Sequence, residues 1–444
     1  MDLADAAGRG RRLTRTAFVG LSHLGINYGI AWASFGQPVV GFDLVRASVA
    51  QLQAGHLPVH EPGLPELFAR SREMLTFVDD PAALANCDLV VVARDVPTDA
   101  ANASDVSPVL ELVDAVAPHL RDGVTLAVMS QLPTGFTRHL RARLVEDRPD
   151  LDFSLYYWVE TLVFGDAVRR ALHPERLIVG CADPTAPLAA TLAEGLARFE
   201  CPIFRMSYES AELTKMAINL YLIGSVTYAN TLADLCESVG ADWSQMVPAL
   251  KADARIGPAA YIRPGLGVAG GNLERDLTTL RALARTHDLD TTYLDALSEH
   301  HAHRLDWAHR KLAERVFSQA TQPIIGVWGL TYKKNTHSTK NSPSLRIIAD
   351  LQARARLRAW DPVIRAGEVA TGAAEVVDDG RAVLDGADCL LIMADWDEFA
   401  AADLQAIRRR MRRPLVIDCV GVLDGRRAEM EHDGIEYVSM GRPA

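Results

Sequence analysis

A short apolar run over residues 16–19 meets Gly20-Leu21-Ser22-His23-Leu24-Gly25. It then passes into a helical stretch over 26–35 and a second apolar run over 38–43. This order of strand, glycine turn, helix and strand constrains the fold more than any other feature, because strands joined by a helical crossover lie parallel in one sheet. The pattern continues with a helix over 48–53, strands over 75–77 and 89–92, a helix over 107–120 and a strand over 125–129. Further strand-like segments at 177–179 and 202–204 complete the region. Strands alternating with helices predict a parallel sheet covered on both faces.

From residue 210 to about 315 the β-like runs vanish and helical periodicity takes over, broken by the glycine-rich Pro264-Gly-Leu-Gly-Val-Ala-Gly-Gly271. A strand-helix-strand pattern then restarts at 323–328, with a helix opened by Ser342-Pro343, a strand over 357–360 ending at Asp361, and further strands at 389–393 and 415–418. The expected fold class is α/β: two Rossmann-like open parallel-sheet domains joined by a central all-helical domain. The boundaries fall at 1–205, 206–318 and 319–444.

A formal charge of −11 removes the electrostatic footprint of a nucleic-acid binder. No apolar run approaches the roughly 18 residues that a membrane span needs. The six cysteines, Cys87, Cys181, Cys201, Cys236, Cys389 and Cys419, show neither a CxxC pair nor a metal-ligand spacing. They fit a reducing compartment. The basic N-terminus, with Arg9, Arg11, Arg12 and Arg15, lacks the apolar core of a secretion signal, so a cytoplasmic location is expected. Of 46 basic side chains only six are lysines: Lys215, Lys251, Lys311, Lys333, Lys334 and Lys340. A lysine kept against that bias points to a need for a compact ammonium.

Gly20-x-Ser22-x-x-Gly25 after a strand, with Asp43 ending the next strand, is a dinucleotide fingerprint in which Ser22 replaces the middle glycine. The first glycine makes the tight turn, the last lets helix and strand pack, and the helix N-terminus around His23 and Leu24 faces a pyrophosphate. Asp43 in this position accepts from a ribose 2′-hydroxyl and repels a 2′-phosphate, which selects NAD. Lys215 and Asn219, four apart in a helical stretch, project from one face. Taken alone, the pair reads more readily as a solvated edge than as a site. Asp276 lies in the first turns of a helix that follows Gly270-Gly271, where a carboxylate also serves the helix dipole. Glu160 ends a strand-like run, where open α/β sheets present ligand groups; a solvated loop position is the default alternative. His300, His301, His303 and His309 read as an exposed helix face, and no metal site is expected.

Together these pieces resemble the nucleotide-sugar dehydrogenase family, whose best-known members oxidise UDP-glucose or GDP-mannose to the uronic acid. The similarity runs from Phe18 to Arg442. It includes Glu61-Pro-Gly-Leu64, Glu160 with Leu162, Gly165 and Ala167, His173 to Gly180, Ala211-Glu-Leu-Thr-Lys215-Met-Ala-Ile-Asn219 and Arg255-Ile-Gly257. It goes on through Gly329-Leu-Thr-Tyr-Lys-Lys334, Ser342-Pro343, Asp361-Pro362, Trp396-Asp-Glu-Phe399 and Gly441-Arg442. The resemblance implies that Lys215 and Asn219 hold the reacting oxygen and an ordered water, and that Asp276 or Lys215 takes the alcohol proton. By the same resemblance Lys333, Tyr261 and the backbone of Gly265 to Gly267 receive a nucleotide diphosphate. Lys340 lies where the family's arginine meets the cofactor. Arg255 reaches a neighbouring subunit's sugar site, which implies a homodimer built on the central helices.

The departures narrow the chemistry. Where the family carries its catalytic cysteine after the glycines, this chain has Asn272. The family's threonine in Ser-Thr-x-Pro is Gln131, and its Asn-Pro before the glutamate is Trp158-Val159. A second hydride can leave only from a tetrahedral carbon, which the family's thiolate creates by adding to the aldehyde. Asn272 cannot add in this way. The expected activity is therefore an NAD-dependent two-electron oxidation of a hydroxyl, secondary rather than primary, on a nucleotide-activated sugar. Trp158, Gln131 and Asn272 are expected to reshape the pocket, and the role of Glu160 stays open. The alternatives are a silent nucleotide-sugar and NAD-binding relative, or an epimerase that returns the same hydride.

Overall fold

The computed structural model describes residues 14–99, 102–372 and 374–443. Arg9, Arg11 and Arg12 of the basic tail lie outside the described residues. The chain forms two compact units, divided after Lys215, with residues 102–103 grouped with the second.

The first unit holds an eight-stranded sheet in the order β3-β2-β1-β4-β5-β6-β7-β8. The strands are β1 (Thr16–Val19), β2 (Val39–Phe42), β3 (Leu75–Val78), β4 (Leu89–Val92), β5 (Val124–Val128), β6 (Phe153–Trp158), β7 (Leu177–Cys181) and β8 (Ile203–Ser207). β1, β2, β4 and β5 are buried along their whole length, as parallel strands covered on both faces must be. Helix His23–Ser34 is buried from Leu24 through Ala33. Its apolar surroundings include an aromatic cluster in which Trp158 lies 5.6 Å from Tyr28 and 5.7 Å from Trp32 between ring centroids.

The expectation of a wholly parallel first sheet needs correction: β6 and β7 pair antiparallel, Tyr157 opposite Gly180, and β8 follows β7 in parallel. The chain leaving β6 does not cross back to the far edge. Glu61 accepts from the N–H groups of Gly165 and Ala167 at 3.0 and 3.1 Å, which pins helix Ala167–Leu172 near the end where β6 finishes. Without a crossover the next strand returns in the opposite sense. Helices Leu64–Ser71 and Phe136–Asp147 also fall where the sequence reading placed no element. Each is entered through a glycine in the left-handed region, Gly63 and Gly135.

In the second unit the helical segments pack with a six-stranded sheet. Helix Tyr208–Val239, 32 residues long, begins in the first unit and runs on into the second. Helix Trp243–Ala252 is capped by Asp242, whose carboxylate accepts from Ser244 N–H. Helices Asn272–Thr286, Thr292–Leu305 and Trp307–Leu312 come next. The sheet contains β9 (Ile324–Trp328), β10 (Arg356–Trp360), β11 (Glu375–Val376), β12 (Cys389–Ile392), β13 (Leu415–Asp418) and β14 (Glu436–Ser439). All its pairings are parallel, in the order β11-β10-β9-β12-β13-β14. Leu266, Trp307 and Leu312 of the helical region share one core with Ile325, Val327 and Ile417 of this sheet.

The two sheets repeat one plan. Gly20 follows β1 with φ +98° and donates to Phe42 O at 2.8 Å, while Gly329 follows β9 with φ +96° and donates to Trp360 O at 2.8 Å. Asp43 accepts from Leu21 N–H at 2.6 Å, and Asp361 from Leu330 N–H at 2.7 Å. Beyond the glycine the two copies diverge. The first enters its helix at His23 directly, whereas the second runs through a loop carrying Lys333, Lys334 and Lys340 before helix Pro343–Leu351.

Candidate active site

The glycine turn of the first unit is built for close approach. A side-chain carbon on Gly25 would lie 1.8 Å from the Gly20 carbonyl oxygen, so only glycine lets the helix start where it does. Ser22 is the residue before the helix; its hydroxyl accepts from Asp95 N–H at 2.9 Å. His23 Nε2 lies 2.7 Å from Glu61 Oε1, and Leu24 N–H donates to Asp95 Oδ2 at 3.0 Å. Asp43 is buried at the end of β2, held by the N–H groups of Leu21 and Val45 and 3.3 Å from the Arg94 guanidinium. The turn, the helix N-terminus and the carboxylate at the tip of β2 fit a dinucleotide: backbone donors for the pyrophosphate and an acceptor for the ribose diol. The structure thus brings Gly20, Ser22, His23, Leu24, Gly25 and Asp43 together.

Also in the first unit, the Lys215 ammonium lies 2.6 Å from Glu160 Oε1 and donates to the Glu160 carbonyl at 3.1 Å. Both side chains are nearly buried, 11% and 13% exposed. Glu160 also accepts from Leu162 N–H at 2.9 Å, so it is a shaped partner for the lysine rather than a solvated loop acid. Burial, and after it the Glu160 charge, pushes the Tyr28 phenol well above its ordinary range. Gln131 follows the buried Ser130, whose hydroxyl accepts from Arg94 N–H at 3.1 Å. Trp158, expected to reshape the pocket, is fully buried in the aromatic cluster and is a core residue.

In the second unit, Asn219 Nδ2 donates to Asp276 Oδ2 at 2.5 Å, and Arg275 Nε lies 3.4 Å from Asp276 Oδ1. All three residues are buried. Asp276 is therefore not a dipole-balancing surface acid, and Asn219 is not a solvated edge. Asn272 is exposed as the first residue of its helix, after Gly270 and Gly271 at φ +91° and +89°. Tyr332 and Lys340 pack so closely on these glycines that a Cβ would meet them at 2.7 and 3.1 Å.

The histidine reading needs correction as well. His301 is half-buried: its Nδ1 accepts from Val268 N–H at 3.1 Å and its Nε2 lies 3.6 Å from Glu274. Its ring fills the space a Cβ on Gly267 would need, at 2.3 Å. Glu274 accepts from Gly271 N–H at 3.2 Å, so His301 and Glu274 together brace the glycine loop. Gly265 N–H donates to the buried Asn230, and its carbonyl accepts from the buried Arg304. Tyr261 is exposed and, with Trp243, Lys251, Arg263 and Arg442, lines a cavity of about 420 Å³. Lys333 places its ammonium over the Tyr332 ring at 5.7 Å. Arg255 is exposed and paired with Asp253 at 2.7 Å. Among the described residues no cluster of His, Cys, Asp or Glu is arranged to hold a metal ion.

Sequence reasoning missed Arg94 and Asp95, whose only signal was charge directly after an apolar strand. Every cysteine is shielded. Five of the six are buried and Cys201 is half-buried. Burial raises each thiol above its ordinary value: Cys87 to about 11, and Cys181, Cys201, Cys236, Cys389 and Cys419 upward as well.

Two open α/β sheets, one with a dinucleotide turn, and a buried lysine at a strand's carboxyl end define a dinucleotide-dependent oxidoreductase. The UDP-glucose/GDP-mannose dehydrogenase family matches in three parts: its NAD binding domain over residues 14–195, its central domain over 209–302 and its UDP binding domain over 326–425. The chain belongs to this family of NAD-dependent nucleotide-sugar dehydrogenases. A UDP-glucose 6-dehydrogenase of Bacillus subtilis is 28% identical over 441 residues, covering 97% of this chain and 94% of that protein. One from Rhizobium meliloti is 28% identical, covering 97% and 100%. A UDP-glucose dehydrogenase structure from Pyrobaculum islandicum superposes with a TM-score of 0.87 at 26% identity, covering 99% of this chain and all of that one. A UDP-D-ManNAc dehydrogenase structure from Pyrococcus horikoshii, at 23% identity and TM-score 0.83 over 97% and 99%, shares the fold. Among the described residues no helix is long and apolar enough to cross a membrane.

Proposed function

We propose that this protein removes one hydride from a secondary hydroxyl of a nucleotide-activated sugar, giving a ketone, and does not continue to an acid. The observation that carries this reading is the state of the thiols. Asn272 stands where the family resemblance puts the nucleophile, and each cysteine elsewhere has burial raising its pKa. The thiolate is the nucleophilic form. An asparagine amide does not add to a carbonyl to make the tetrahedral carbon a second hydride departure needs. A ketone carries no further hydride to lose and ends the reaction.

Bound NAD supplies the hydride acceptor. The chain's own residues handle the oxygen and its proton. Lys215, fixed by Glu160, presents its ammonium to the alcohol oxygen and stabilises alkoxide character as the C–H electron pair departs. Asn219 directs its amide to Asp276, and the family resemblance gives the hydroxyl proton to Asp276, through water, or to Lys215 itself. Glu160 acts through the lysine and is a positioning residue. The family resemblance gives Lys333, Tyr261 and the Gly265 to Gly267 backbone to the nucleotide diphosphate and Lys340 to the cofactor. The location consistent with the shielded, unpaired thiols is the cytoplasm.

We further propose a homodimer formed on the long helix. Tyr221, Tyr228 and Leu235 recur every seven residues and are 68%, 45% and 52% exposed; Val239, at 72%, extends the stripe. Heptad-spaced apolar residues on a helix face seek a second helix. In that dimer the exposed Arg255 exchanges its Asp253 partner for the neighbouring subunit's sugar.

The test is to incubate the protein with NAD and a panel of UDP-, GDP- and other nucleotide sugars, count NADH per sugar consumed and weigh the product. One NADH and a product lighter by two hydrogens support the reading. A carboxylate product with two NADH refutes it.

A further inference from the structure

We propose that Asp95 is a built-in competitor for the dinucleotide, occupying part of the pyrophosphate position until the cofactor displaces it. The first N–H groups of a helix have no partner within it. In helix His23–Ser34 the first intrahelical acceptor is Ser22 O, taken by Ile26 N–H at 3.0 Å, which leaves Leu24 N–H among the unclaimed donors. At a dinucleotide turn such donors face the pyrophosphate. Here Leu24 N–H donates at 3.0 Å to the carboxylate of Asp95, which reaches it from the loop after β4. An anion of the protein's own already satisfies the group that the cofactor's anion needs.

Ser22 explains how Asp95 is kept in place. Its hydroxyl accepts from Asp95 N–H at 2.9 Å, a bond that a glycine in the middle position of the turn could not make. The departure at Ser22 and the carboxylate at Asp95 therefore form one device, the serine clamping the backbone from which the acid reaches over. The neighbouring Arg94 acts at the other end of the cradle, lying 3.3 Å from the ribose-selecting Asp43. Asp95 is exposed, so its carboxylate can swing into solvent when a phosphate arrives while its backbone stays tethered. A carboxylate that remained beside a pyrophosphate would repel it at short range.

The competition is specific to ligands that carry phosphate at this point, which sets the test. NAD, ADP and adenosine are titrated by calorimetry into the full-length wild type, Asp95→Asn and Asp95→Ala. Thermal unfolding confirms that each variant is folded. Asp95→Ala is expected to lower the Kd for NAD and ADP by about tenfold, with adenosine unchanged within about twofold. Asp95→Asn keeps an acceptor for Leu24 N–H without the charge and is expected to give a smaller gain of the same selectivity. Equal affinities for NAD in all three proteins would overturn the proposal, as would a loss of NAD and adenosine binding together, which marks Asp95 as a support of the turn. Binding of NAD to none of the three would overturn it along with NAD use itself.

Discussion

The pairing of Lys215 with Glu160 makes a prediction that separates chemistry from stability. In Lys215→Met the Glu160 carboxylate, 13% exposed, loses its ammonium partner at 2.6 Å and keeps Leu162 N–H as a donor. Removing one member of a buried ion pair costs about 3 kcal/mol when water still reaches the survivor. Removing a cation that stabilises a developing alkoxide costs about a hundredfold to a thousandfold in kcat. The double variant Lys215→Met/Glu160→Gln removes the uncompensated charge and is expected to recover most of the lost stability and none of the turnover. The assay is urea unfolding beside kcat with a substrate identified from the nucleotide-sugar panel. If the double variant regains turnover with its stability, Lys215 only balances Glu160, and the assignment of the ammonium to the reacting oxygen is refuted.

Native protein treated with a thiol reagent at neutral pH is expected to label slowly, with all six cysteines reacting only after denaturation, whereas Asn272→Cys adds one fast thiol at the exposed start of its helix; a fast thiol in the wild type would reopen the acid-forming route. Gly25→Ala is expected to abolish NAD binding in calorimetry, because its Cβ would lie 1.8 Å from Gly20 O and the helix would have to move. Glu209 is held at a pKa of about 2, chiefly by its hydrogen bond from the Arg138 guanidinium. Its stabilising contribution is complete above the ordinary carboxylate range and is lost as pH falls toward that value; Glu209→Gln should lower stability at neutral pH, match the wild type in strong acid, and so show a shallower loss on acidification. Tyr228→Glu with Leu235→Glu is expected to convert a dimer to a monomer in light scattering, and an unchanged mass would remove the helix face as the interface.

What the sequence made legible was local. Gly20, Gly25 and Asp43 sit within one strand-turn-helix-strand unit, so spacing alone positions them, and the repeat at Gly329 and Asp361 is readable for the same reason. The depth of the Lys215 and Asn219 sites was not readable. Their partners Glu160 and Asp276 lie 55 and 57 residues away, and which acid meets which base is decided by tertiary packing. Trp158 looked like a pocket substitution because it lies two residues before Glu160, but it is the last residue of β6 and its indole packs with Tyr28 and Trp32 in the core. His301 looked exposed among other histidines until the glycine loop closed over its ring. The antiparallel entry of β7 follows a connection held by Glu61 from 104 and 106 residues away in sequence, a contact that no periodicity encodes. Asp95 left no pattern at all, since one acid in a loop is ordinary until a helix end is brought against it.

The lysine-bearing loop that follows Gly329 in the second sheet distinguishes that half from the first. Fixed backbone donors grip an anion at short range with little help from mobile charge, while the second loop holds three of the chain's six lysines, one of them, Lys334, already paired with Asp397 at 2.7 Å. The two Rossmann-like halves thus share a topology but not an ionic-strength response. If Lys333 receives the nucleotide diphosphate as proposed, rising salt is expected to raise the KM of the nucleotide sugar more steeply than that of the dinucleotide, which initial rates at varied ionic strength would check.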